Sequence, residues 1–346
     1  MSEALYRIYR PQTFKDVVGQ NHIVSVLESA IQDGTLAHAY LFSGSRGLGK
    51  TSIARIFAQT LGITPSDIYE IDAASNRSVD DARALREGVA TLPFESEYKV
   101  YIIDEAHMLT KEAFNTLLKT LEEPPSHVIF ILATTELHKV PDTIVSRCQT
   151  FSFKKPTRTV LRDMLIAVAK KEGRVLEAPA GELVALMGDG SYRDALGVLQ
   201  KVITGSTEKK ITRDIVAECI GAPKSELVND ILLSLHTGNP EKGIQAIQDA
   251  RTHGFSMDVL LSLLLAKIRA VLLLRHAKQM EQSLAEDFSE DDMILLKGYA
   301  DDNDSCIQGR SLVAFLEAHA FLNTTDIAGL PLELALIKLS EKTKIA

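Results

Sequence analysis

Residues 44–51 read GSRGLGKT and bring together groups suited to one task, holding a polyphosphate. Glycines let a backbone turn so tightly that its amide N–H groups face anionic oxygens. Lys50 can reach the β- and γ-phosphates, and the Thr51 hydroxyl can take a Mg²⁺ position. Further along, Asp104 and Glu105 close the apolar run Lys99-Val100-Tyr101-Ile102-Ile103. An acidic pair at the carboxyl end of a buried strand sits where open α/β sheets bind ligands. There Asp104 would hold Mg²⁺, mostly through water, and Glu105 would orient or deprotonate the water that attacks the γ-phosphate. Taken alone such a pair is often only a helix cap; joined to the phosphate loop it points to hydrolysis of ATP.

Other side chains leave two readings open. The run 129–135 ends in Thr134 and Thr135, whose hydroxyls could cap the next turn or touch the γ-phosphate and attacking water. Arg147, in Ser-Arg-Cys, is a surface charge or an arginine finger that offsets transition-state charge. Arg193 opens a helix in Gly-Ser-Tyr-Arg-Asp-Ala-Leu, where a cation opposes the helix dipole, a hint of function.

These residues need elements to position them. Strand candidates are 39–43, 68–72, 100–104, 128–134 and 150–153, separated by amphipathic segments such as 79–91 and 111–121. That alternation predicts a parallel sheet with helices on both faces. The phosphate loop falls between the first strand and a helix carrying Ile53, Ile56, Phe57 and Leu61 before Gly62. Strand signals stop after Pro156, which predicts an ATP-binding domain over 1–155, an all-α lid over 156–222 and an all-α collar over 223–346, with Gly221-Ala222-Pro223 at the last boundary.

Composition agrees with a multi-domain soluble protein: 346 residues exceed one ordinary core, and 45% are hydrophobic. The most apolar stretch, 259–274, is interrupted by Lys267 and Arg269, so it reads as a buried helix rather than the roughly 20-residue apolar span that crosses a bilayer. The amino terminus lacks an apolar h-region, and a cytoplasmic location without membrane contact is expected. Cys148, Cys219 and Cys306 lie far apart and are expected to be small buried residues, not disulfide or zinc ligands. A net charge of −8 restricts any nucleic-acid contact to a local surface.

Several segments, in order, resemble the bacterial DNA polymerase III gamma/tau subunits, motors of the sliding-clamp loader in the AAA+ superfamily. They are LYRIYRP from Leu5, FKDVVGQ from Phe14, GSRGLGKTS, EIDAASN from Glu70, DEAHML, LLKTLEEPP from Leu117, LATT, SRC and GSYRDAL. The resemblance implies an AAA+ P-loop domain, a helical lid and a helical collar. It implies ATP and Mg²⁺ as cofactors, with Tyr9, Arg10, Pro11, Val17 and Val18 along the adenine. Gly44, Arg46, Gly47, Gly49, Lys50, Thr51 and Ser52 would surround the phosphates. Thr135 becomes a sensor, Arg193 a second sensor in its own chain, and Arg147 a residue reaching the neighbouring subunit's site in trans.

The same resemblance implies a five-subunit ring with δ, δ′ and further copies of this chain, loading the β sliding clamp onto primer-template DNA, with no polymerase site of its own. DNA phosphates would meet Asn76, Arg77, Ser78 and Arg83, which could equally be caps and helix-surface ion pairs with Asp80, Asp81 or Glu87. Two departures mark a short form. Only residues 62–67 lie where the family usually carries a four-cysteine zinc module, so zinc is not expected. Residues corresponding to the longer form's carboxyl-terminal region, which binds helicase and polymerase, are not among these 346. A nucleotide-silent ring member would not need Lys50, Thr51, Asp104 and Glu105 together. A branch-migration helicase would need a strand-containing winged helix after residue 224.

Overall fold

The computed structural model describes residues 3–75, 85, 87–285, 288–322 and 324–343. By contacts the chain divides into two compact units, Met1–Met164 with Gly188–Gly197, and Leu165–Met187 with Val198–Ala346.

The first unit is built on five strands, β1 (Ala39–Ser43), β2 (Ile68–Asp72), β3 (Lys99–Asp104), β4 (Val128–Thr134) and β5 (Gln149–Ser152), in the order β2-β3-β4-β1-β5. Every pairing is parallel. A central parallel strand must be apolar on both faces, and β1 and β4 are buried at every position.

The two-residue period then divides the side chains. Tyr40, Phe42, Val100, Ile102, Ile129 and Ile131 join one core with Ile23 and Leu27 of α1 (Asn21–Gln32) and Ile53, Ile56 and Phe57 of α2 (Lys50–Thr60). Ala39, Leu41, Tyr101, Ile103, Phe130 and Leu132 join a second core with Phe114, Leu117 and Leu121 of α3 (Lys111–Glu122). Full burial of a large side chain such as Phe42, Phe57 or Phe130 contributes about 1.5–3 kcal/mol. The expected sheet with helices on both faces is therefore present.

Register aligns the strand ends. Ser43 pairs with Thr134, Ile103 with Leu132 and Asp72 with Asp104, so the carboxyl ends of four strands share one edge. α2 starts from Gly49 at φ 90°, a left-handed turn that costs an L-residue about 1–2 kcal/mol. α3 starts at Thr110, whose hydroxyl accepts from the Ala113 amide at 3.2 Å.

The second unit is helical apart from one short parallel pair, Val175–Leu176 with Lys210–Ile211. That pair departs from the expected all-α lid, since two residues are too few to display a strand period. Among the described residues after Ile211 there is no strand. A single core runs from Val228 to Leu336 around α4 (Met257–His276). Lys267 of α4 is buried and donates to Asp292 Oδ1 at 2.5 Å and Asn229 Oδ1 at 2.7 Å. Burial lowers the Lys267 pKa against the pull of Asp292. No described helix is long and apolar enough to cross a membrane.

The cysteines correct the sequence reading, because all three are free thiols of intermediate exposure. Burial still pushes the Cys148 thiol up to about 11.

Candidate nucleotide-binding and hydrolysis site

The phosphate loop leaves the end of β1, where the Gly44 amide donates to Thr134 O at 3.2 Å. A Cβ on Gly44 would lie 2.8 Å from Phe153 O. Gly47, at φ +76°, packs closer still, since an added Cβ would stand 2.0 Å from Ser191 Oγ. The Tyr192 amide donates to Gly47 O at 3.1 Å, and the Tyr192 hydroxyl to Val18 O at 2.6 Å. Thus the 188–197 segment is tied to both the loop and the amino-terminal stretch.

Lys50 is buried, with Nζ donating to Gly44 O at 2.7 Å and Ser45 O at 2.9 Å. Burial lowers its pKa; Glu105 and Asp104 oppose that shift and Arg193 adds to it. Next to it the Thr51 hydroxyl donates to Asp104 Oδ2 at 2.7 Å. The other oxygen of Asp104 accepts the Glu105 amide at 3.0 Å. Glu105 takes φ 48°, ψ 44°, a left-handed conformation that costs about 1–3 kcal/mol in a non-glycine residue and is concentrated at functional sites. Its Oε2 accepts the Thr135 hydroxyl at 3.0 Å.

The two threonines separate the two readings of that strand end. Thr134 is buried and its Oγ1 accepts the Glu136 amide at 3.0 Å, which caps the turn, while Thr135 meets the candidate catalytic carboxylate.

A cavity of about 680 Å³ opens beside the loop, lined by Tyr9, Arg10, Pro11, Val17, Val18, Gly47, Gly49, Ser52 and Arg193 among others. Arg10 donates to Ser52 Oγ at 3.0 Å, and its pKa is lowered by burial and by Arg55, against Glu70. Arg55 and Glu70 form a bidentate ion pair. The Arg193 guanidinium lies 5.7 Å from the Tyr6 ring centroid, a distance at which cation–π attraction acts.

Arg46 is exposed. Arg147 makes its bonds away from this cluster, to Glu122 Oε1 at 2.6 Å and Thr143 O at 2.7 Å. Asn76, Arg77, Ser78 and Arg83 lie outside the described residues. Reading the sequence alone overlooked His107, Glu136, Tyr192 and Glu122. His107 carried a signal, since it follows the acidic pair within the same tight turn.

A family model described as DNA polymerase III, delta subunit, matches residues 19–75 and 62–157. The fold is similar to Thermotoga maritima RuvB, a Holliday junction branch migration motor, at TM-score 0.53 and 24% identity over 66% of this chain and 79% of that one. At that identity the likeness speaks for the fold alone. The chain is 41% identical to the Bacillus subtilis DNA polymerase III subunit tau over 300 residues, 81% of this chain and 53% of the relative. It is 37% identical to the Escherichia coli subunit tau over 294 residues, 79% and 46%. The chain spans about half the length of the curated relatives it matches, and it belongs to the bacterial DNA polymerase III gamma/tau family.

Proposed function

We propose that this chain is an ATP-hydrolysing motor subunit of the bacterial clamp loader, acting in DNA polymerase III holoenzyme to load the β sliding clamp onto primed DNA. The observation that carries the reading is the hydrogen-bonded run at the strand ends, in which Thr51 meets Asp104 and the adjacent Glu105 meets Thr135. Family membership supports the clamp-loading role.

In this reading Lys50 and the loop amides bind the β- and γ-phosphates, and the cavity beside Tyr9, Arg10, Pro11, Val17 and Val18 takes the base. Arg10, Lys50 and Arg193 bring positive charge near one another, an arrangement a polyphosphate would offset. Thr51 Oγ1 and Asp104 Oδ2 are hard oxygen donors already side by side, which suits Mg²⁺. When bound, Mg²⁺ supplies neutralising charge to the phosphate oxygens. Glu105, steadied by Thr135, orients the attacking water and takes its proton. Arg193 answers the γ-phosphate from its own chain, and Arg147, exchanging Glu122 for a neighbour's phosphate, completes hydrolysis in trans.

Residues 1–155 form the motor, 156–222 its lid and 223–346 the collar of a five-subunit ring with δ, δ′ and further copies. Primer-template DNA lies against Asn76, Arg77, Ser78 and Arg83.

Binding and turnover test the reading separately. Lys50→Ala is expected to abolish ATP binding, and Glu105→Gln to keep ATP bound while slowing hydrolysis at least about 100-fold. In the parent, ATPase activity is expected to rise when clamp, primed DNA and partner subunits are added. Near-parental turnover by the glutamine variant would remove Glu105 from the mechanism.

A further inference from the structure

His107 is the one imidazole in contact with the hydrolysis cluster among the described residues, and the reaction as proposed above leaves it without a task. Its side chain is only 6% exposed. Nε2 lies 3.1 Å from Glu136 Oε2. Nδ1 lies 3.1 Å from Thr134 Oγ1 and 3.4 Å from Glu105 Oε2.

Hydrogen-bond inventory restricts what this ring can do. A carboxylate only accepts, so the close contact at Glu136 calls for a proton on Nε2. The Glu136 carboxylate is in turn gripped by Lys139 at 2.8 Å, and that ammonium holds its carboxyl below the ordinary range. In the neutral ring Nδ1 then carries the lone pair and accepts the Thr134 hydroxyl proton. Thr134 is itself fixed, fully buried and accepting from the Glu136 amide. Every atom that could let the imidazole turn is therefore engaged.

The ring edge stands against Oε2 of Glu105, the same oxygen that accepts from Thr135. Glu105 needs such support because its left-handed backbone places the carboxylate on a turn outside the regular strand.

We propose that His107, oriented by Glu136, is a positioning residue for the hydrolytic carboxylate of Glu105. Thr135 anchors Oε2 from one side, and the Nδ1 lone pair, 3.4 Å away, repels the anionic oxygen from the other, so that the carboxylate keeps one orientation toward the attacking water. The role rests on the hydrolysis reading above and adds to it a specific requirement for a polar atom at the Nδ1 position.

The test is a double-mutant cycle on the full chain, reading ATP affinity, turnover and thermal midpoint for each variant. His107→Phe keeps the ring's bulk and removes its nitrogens. Turnover is expected to fall about 10- to 100-fold, as displacement of a reacting group by a fraction of an ångström to an ångström does, with ATP affinity unchanged. His107→Asn, which keeps a polar atom near the Nδ1 position, recovers most of the loss. In the Glu105→Gln background His107→Phe has no further effect, because the group it positions is already disabled.

Parental turnover in His107→Phe overturns the proposal. So does a loss that multiplies with that of Glu105→Gln, or one in which affinity and midpoint fall together in both the Phe and Asn variants, since either makes the residue merely structural. Undiminished hydrolysis by Glu105→Gln alone overturns the hydrolysis reading itself, and is recognised because it arises in the reference arm.

Discussion

Gly47→Ala measures how closely the phosphate loop is held to the segment that carries Arg193. The glycine sits at φ +76°, and an added methyl would meet Ser191 Oγ at 2.0 Å, Ser191 Cβ at 3.1 Å and Arg193 Cβ at 3.3 Å. The left-handed backbone costs an alanine about 1–2 kcal/mol. Overpacking against Ser191 costs a further ~1–3 kcal/mol, giving a total of roughly 2–5 kcal/mol.

The relief available is small. Ser191 is buried and its hydroxyl accepts the Asp194 amide at 3.2 Å, so the segment must shift as a piece and take Arg193 with it. Loss of one charge-assisted phosphate contact of about 1.5–3 kcal/mol lowers ATP affinity roughly 10- to 150-fold. Denaturant unfolding with and without ATP reads the first quantity in the transition that the nucleotide moves, and nucleotide titration reads the second.

Ser191→Gly supplies the control. It removes the obstructing atoms at a cost of only a few tenths of a kcal/mol for the cap, so the double variant regains the packing share, about 1–3 kcal/mol, and keeps the backbone share. A cycle additive to within about 0.5 kcal/mol, or a Gly47→Ala chain as stable as the parent, would refute the close approach.

Mixing tests the trans arginine: Arg147→Ala and Lys50→Ala chains, each inactive alone, regain part of the ATPase activity in a shared ring, and no rescue in a properly assembled ring counts against it. Arg193→Ala shows no such rescue, because it acts in its own subunit. Asp67 predicts an acid dependence. Burial raises its carboxyl pKa, but the amides of Phe94, Glu95 and Ser96 outweigh that and hold it at about 2, below its ordinary 3.8. A depressed carboxylate stabilises fully above the unfolded value and loses that contribution as pH falls from about 4 through about 2. Asp67→Asn therefore lowers stability by roughly 1–3 kcal/mol for each amide left without an acceptor and flattens acid unfolding in that window. An unchanged acid limb in the asparagine variant would contradict this. For DNA, Arg77→Ala with Arg83→Ala weakens binding of the assembled loader to primed DNA about equally for all sequences and flattens the salt dependence. An unchanged salt slope leaves both as surface charges.

Sequence by itself determined the features that depend on neighbours in the chain. The spacing of Gly44, Gly49, Lys50 and Thr51, between an apolar run and an amphipathic one, is legible in the chain itself as a candidate phosphate loop. The continuous apolar runs at 39–43 and 128–134 require a sheet covered on both faces, because a strand apolar at every position carries apolar side chains on each side. Lys267 and Arg269 exclude a membrane span from the most apolar stretch, though not the buried ion pair with Asp292 that the first of them makes.

Only the tertiary structure decided which strand ends meet. The order β3-β4-β1 places Thr134 beside Ser43 and brings Thr135 to Glu105. A one-residue slip would turn every side chain to the other face, so no local pattern reports which of two adjacent hydroxyls reaches the carboxylate. Glu122 with Arg147, Gly47 with Ser191, and His107 with Glu136 were hidden for the same reason. Each pair is a short polar or steric contact between segments apart in the chain, brought together by burial of apolar residues elsewhere, and such contacts leave no periodicity in the sequence.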